Sequence, residues 1–120
     1  MKKQVLLFNL NGQRRQNVEA VCRKLSLDVH VVEREHFKSP LGSLVGIRGL
    51  SLSPGGTGNA AGEMLIFYGL SSDDLDRFLE SYREEETNPV KLKAVLTPHN
   101  MSWDAGRLYE ELEKERKEIG

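Results

Sequence analysis

A chain of 120 residues and 13.6 kDa has room for one hydrophobic core but not for two independent ones, so a single domain spanning 1–120 is expected. A hydrophobic share of 38% and a charged share of 29% speak against wholesale disorder, and apolar runs no longer than a strand speak against a membrane span. Seventeen basic and eighteen acidic residues leave a formal net charge of -1, which creates no whole-molecule field for nucleic acid or an anionic membrane.

The first apolar run, Val5-Leu6-Leu7-Phe8, is continuous rather than alternating, as suits a strand covered on both faces. From Arg14 to Leu25, Val18, Val21, Cys22 and Leu25 fall at helical spacing, with Arg15, Glu19, Arg23 and Lys24 directed elsewhere. Val29-His30-Val31-Val32 follows as a β-branched strand. Strand, helix and strand make a βαβ unit with parallel strands. Ser39-Pro40 opens a short, weak helix carrying Leu41, Leu44 and Val45.

Residues 50–62 are rich in glycine and serine and are expected to form a flexible loop. Within it Gly55-Gly56-Thr57-Gly58 has a superficial likeness to a phosphate loop. No Gly-Lys-Ser or Gly-Lys-Thr follows and no strand immediately precedes it, so that reading fails. Met64-Leu65-Ile66-Phe67-Tyr68 forms the third strand. Ser71 or Ser72 then caps a helix that has Asp73, Asp74 and Asp76 in its opening turns and Leu75, Phe78, Leu79 and Tyr82 on its buried face. Glu84-Glu85-Glu86 reads as its solvated end. Asn88-Pro89 breaks the chain before a fourth strand at roughly Leu92 to Leu96. A last helix runs from about Ser102, its capping residue, to Glu118, with Trp103, Leu108, Leu112 and Ile119 as apolar contacts. No repeat of solenoid period is present.

These elements predict an α/β domain of three layers, with a mostly parallel four-stranded sheet ordered 2-1-3-4 and helices on both faces. The alternative is a ferredoxin-like α+β sheet with one face open, which the apolar character of the strands disfavours. In a parallel sheet ligands bind beyond the carboxyl ends of the strands, where strand order reverses. Three strand exits would then converge, bringing Asn9, Asn11, Ser71, Thr97, His99, Asn100 and Trp103 into one ligand-binding cleft.

Histidine is a residue type suited to acid–base work, which makes His99 a candidate, but no nucleophile or partner acid stands near it in sequence. The same residues would equally serve as turn and cap groups. No catalytic residue is assigned, and the expectation leans away from an enzyme. His30 and His36 lack zinc spacing, so neither a metal nor another cofactor is expected. The lone Cys22 excludes an internal disulfide and reads as core.

The stretch Lys93-Ala94-Val95-Leu96-Thr97-Pro98-His99-Asn100, with Trp103 and Leu108-Tyr109-Glu110-Glu111-Leu112 after it, resembles the signature of a family of small bacterial proteins known only as a domain of unknown function. Val5 to Leu10, Pro40-Leu41-Gly42, Gly46-Ile47-Arg48-Gly49 and Glu63-Met64-Leu65-Ile66 resemble it too. The resemblance implies a bacterial, cytoplasmic protein and transfers no activity. The overall expectation is a non-catalytic binding or regulatory module for a small polar or anionic ligand, alternatively a protein–protein interaction module or, behind both, an enzyme using His99 as acid or base. It would be a monomer or weak homodimer that engages neither nucleic acid nor membrane.

Overall fold

The computed structural model describes residues 2–56 and 59–119, without the side chains of residues 118 and 119. Thr57 and Gly58 of the glycine run, and the expected contact of the Ile119 side chain, lie outside the described residues. The elements are β1 (Gln4–Phe8), α1 (Gly12–Lys24), β2 (Asp28–Val31), two short 3-10 turns (Arg34–His36 and Leu41–Val45), β3 (Met64–Tyr68), α2 (Ser72–Glu85), β4 (Lys93–Val95) and α3 (Ala105–Ile119).

The sheet has the order β2-β1-β3-β4, as the apolar pattern predicted, and it is mixed. β1 pairs with β2, and β3 with β4, in parallel. The central pair β1·β3 is antiparallel, with Leu6 opposite Ile66. Each parallel pair is one βαβ unit, so the fold is two such units joined back to back. The reversal has a local cause. Between β2 and β3 the described residues form short 3-10 turns instead of one crossover helix, and the chain returns to the end of the sheet it left.

Strand alternation divides the core. Val5, Leu7, Leu65 and Phe67 face α1 and α2, where they meet Val18, Val21, Cys22, Phe78 and Tyr82. Leu6, Phe8, Met64 and Ile66 face the opposite side, covered by Phe37, Leu41, Ala60 and the α3 residues Ala105 and Leu108. Both faces of the central strands β1 and β3 are therefore dry, which explains continuous apolar runs in place of alternation and excludes the arrangement with one open face. Cys22 is fully buried, and burial pushes its thiol up to about 12, as a packing residue requires.

The glycine-rich segment is anchored where it is described. Ser53 N–H donates to the Ser102 carbonyl (2.8 Å), Arg107 Nη1 to the Pro54 carbonyl (3.2 Å), and Ala60 is buried. Gly56 lies directly against the Asp104 carboxylate, where any Cβ would collide.

Candidate functional site

The antiparallel centre of the sheet corrects the expected convergence. The carboxyl terminus of β1 lies at one end of the sheet, whereas those of β3 and β4 lie at the other. Asn9 and Asn11 are consequently at the opposite end from Ser71, Thr97, His99, Asn100 and Trp103, and no single cleft gathers all seven.

At the β3/β4 exit end, polar groups are committed to turns. Ser71 caps α2: its hydroxyl accepts from Asp74 N–H (3.1 Å), and the Asp74 carboxylate accepts from Ser71 N–H (3.0 Å). Asn100, 8% exposed, clamps the turn after β4, accepting from Thr97 N–H (2.9 Å) and donating through Nδ2 to the Val95 carbonyl (3.1 Å). The Thr97 hydroxyl accepts from His99 N–H (3.2 Å). The exposed His99 ring meets Trp103 edge-on at 5.2 Å, and the Arg107 guanidinium lies over Trp103 at 4.3 Å. α3 is capped by Asp104 instead of Ser102, since Asp104 Oδ1 accepts from Arg107 N–H (2.8 Å).

At the other end the side chain of Asn9, in the left-handed region at φ 63°, donates to the carbonyls of Ala60 (2.7 Å) and Gly62 (2.9 Å). Asn11 precedes α1 without capping it. Next to them Arg14 forms a fork on Glu63, with Nε and Nη2 each 2.6 Å from a carboxylate oxygen, while Nη1 donates to the Asn88 carbonyl (2.9 Å) and approaches Glu86 at 3.5 Å. Glu86, 7% exposed, also accepts from Asn17 Nδ2 and Asn88 N–H, both at 3.3 Å. It is not part of a solvated helix end: the chain leaves α2 at this residue and turns it inward, while Glu84 and Glu85 stay exposed.

The Glu63 hydrogen bond, with both carboxylates nearby, raises the Arg14 pKa further above its ordinary value. The guanidinium is thus a permanently charged wall, held by hydrogen bonds from Nε, Nη1 and Nη2 to its neighbours. Beneath it Tyr82 accepts Val90 N–H on its buried hydroxyl (3.0 Å), and burial raises that phenol.

This wall borders a cleft of about 200 Å³ whose other sides are Asn88, Lys91, Tyr109, Glu113 and Arg116. Lys91 and Arg116 are exposed and, among the described residues, neither is ion-paired. Lys93 lies close by, donates to the Val90 carbonyl, and has its pKa lowered by burial and then by the charge of Arg116. The cleft thus brings the cations Lys91 and Arg116 together with the Tyr109 phenol and the Glu113 carboxylate. Among the described residues no group of His, Cys, Asp and Glu could hold a metal, and no helix is long and apolar enough to cross a membrane.

Sequence reasoning missed Arg14, Glu63, Glu86, Lys91, Tyr109 and Arg116 as a group. They come from five separate segments of the chain, and none carries a local spacing motif.

Residues 63–119 match the model of a domain of unknown function (DUF3783), the stretch from β3 to the end of α3. No curated protein and no solved structure matches the chain.

Proposed function

We propose that the chain is a non-catalytic binding module for a small anionic ligand, a carboxylate or phosphate, taken in the cleft between α1, the start of β4 and the end of α3. One observation carries this reading: the cations Lys91 and Arg116, which form no ion pair among the described residues, face a cleft braced by the Arg14–Glu63 fork. An anion between them would replace lost hydration with charge-assisted hydrogen bonds, and Tyr109 could donate one more. The braced wall costs the ligand no reorganisation, because Arg14 is already held at four points. At the opposite end Thr97 and Asn100 have spent their polar groups on the turn. The exposed His99 ring packs edge-on against Trp103, and no catalytic step is assigned to it.

The test is thermal unfolding in inorganic phosphate, acetate or malonate at constant ionic strength, with chloride as the control. Saturation near 100 times the dissociation constant should add about 2.7 kcal/mol and raise the midpoint by roughly 10 °C. Lys91→Ala/Arg116→Ala should abolish the rise while folding normally, since both side chains are exposed. No rise with any anion beyond the chloride control would sink the reading.

A further inference from the structure

Between the flank of α2 and the edge strand β4 runs a groove that the fold leaves open, and Leu75 and Leu79, packed in part against the core, are half-buried along it. Phe67, Leu75, Leu79, Ala94 and Val95 line one part of it, and it continues past Lys93 toward Tyr82 and Arg83. Val95 is 43% exposed, one of two large hydrophobic residues so exposed among those described. The first βαβ unit supplies an internal control. α1 and α2 run in step sixty residues apart, so Leu75 and Leu79 correspond to Arg15 and Glu19, which form an i,i+4 ion pair at 3.7 Å. The α1 side is finished for water, whereas the equivalent α2 side is apolar.

We propose that this face binds a second copy of the chain, with α2 lying antiparallel against α2 of the partner subunit about Leu79. Charge complementarity selects that occupant. Asp76, Leu79 and Arg83 share one helical stripe along the groove rim, and Asp76 and Arg83 are exposed with no ion pair inside the chain among the described residues. A two-fold axis at Leu79 sets Asp76 against Arg83 of the partner subunit and Arg83 against Asp76 of the partner subunit, while Leu75, Leu79 and Val95 close over one another. The contact runs through side chains. Asn100 Nδ2 already occupies the Val95 carbonyl at the open strand edge, so no continuous β ladder crosses the interface.

Sedimentation equilibrium of the full chain from about 1 to about 200 μM tests this. A concentration-dependent dimer is expected. Asp76→Arg and Arg83→Asp should each weaken it about tenfold or more, and the double reversal should restore it to within about threefold of the original, because the swapped charges meet again. Leu79→Lys should give a monomer with an unchanged circular dichroism spectrum. A monomer throughout the range, a dimer indifferent to the single reversals, or a double reversal as weak as either single would each overturn the proposal.

Discussion

The two βαβ units use the same backbone plan with different chemistry. Phe8-Asn9-Leu10-Asn11 and Tyr68-Gly69-Leu70-Ser71 stand at equivalent places: the last strand residue, a left-handed residue (φ 63° and 80°), a leucine packed in the same core cluster, and the helix N-cap. At Gly69 glycine is required twice, since a Cβ there would stand 2.5 Å from the Lys2 carbonyl oxygen as well as at positive φ. Asn9 takes the same conformation but turns its side chain outward to hold the chain leading into β3. The second unit has a capping box and acidic residues in its opening turn. The first has neither, and Gly12 begins its helix at φ 54°. Equal topology does not impose equal local stability: α2 is closed by its own residues, whereas α1 depends on what packs against it.

Three measurements would break or sharpen that comparison. The largest contrast concerns the helix anchors, Val18 and its counterpart Phe78, both fully buried. Phe78 packs edge-on against Phe67 at 5.0 Å and near Tyr82 at 5.5 Å. Phe78→Ala should cost about 3–5 kcal/mol in urea unfolding, against roughly 2 kcal/mol for Val18→Ala, from transfer plus cavity. Equal losses would mean that the two helices are anchored alike.

Next come the caps. Ser71→Ala should cost about 1 kcal/mol, while Asn11→Ala should stay below about 0.5 kcal/mol, because the Asn11 side chain satisfies no helix amide. A comparable loss at Asn11 would show that α1 has a cap the geometry does not reveal.

The smallest effect is a pH dependence confined to the second unit. The Ser71 N–H, the Lys3 ammonium at 2.9 Å and the Ser71 hydroxyl pull the Asp74 carboxyl down to about 2. A lowered folded-state pKa contributes stability that is present above the unfolded pKa of about 4 and is lost as pH falls toward 2. Stability of Asp74→Asn should therefore fall less steeply over that window than that of the unaltered chain. Identical slopes would assign the acid sensitivity to other carboxylates.

Much of the framework was legible because it is written locally. The apolar runs at Val5 and Met64 marked strands dry on both faces, the spacing of Val18, Val21 and Cys22 marked a buried helical face, and Ser71-Ser72 ahead of Asp73 and Asp74 marked a helix start, with the structure choosing Ser71 as the cap. Two local readings failed for physical reasons. Asp104, two residues beyond Ser102, takes the α3 cap because the turn held by Asn100 delays the helix. Glu86 turns inward because Arg14 and Asn17, distant in sequence, are there to receive it.

The sequence alone determined the secondary elements, the strand order, the three layers and the burial of Cys22, since each follows from periodicity or from the propensity of neighbouring residues. Tertiary structure decided the direction of β3 against β1. That direction depends on the path of the segment joining β2 to β3, whose described residues form short 3-10 turns and which carries no periodic pattern to reveal where it ends. With it was decided which loops share an end of the sheet. Asn9 parted from Thr97 and His99, and Arg14, Glu63, Lys91 and Arg116 came together, because side chains from distant segments meet only once the strands have chosen their directions.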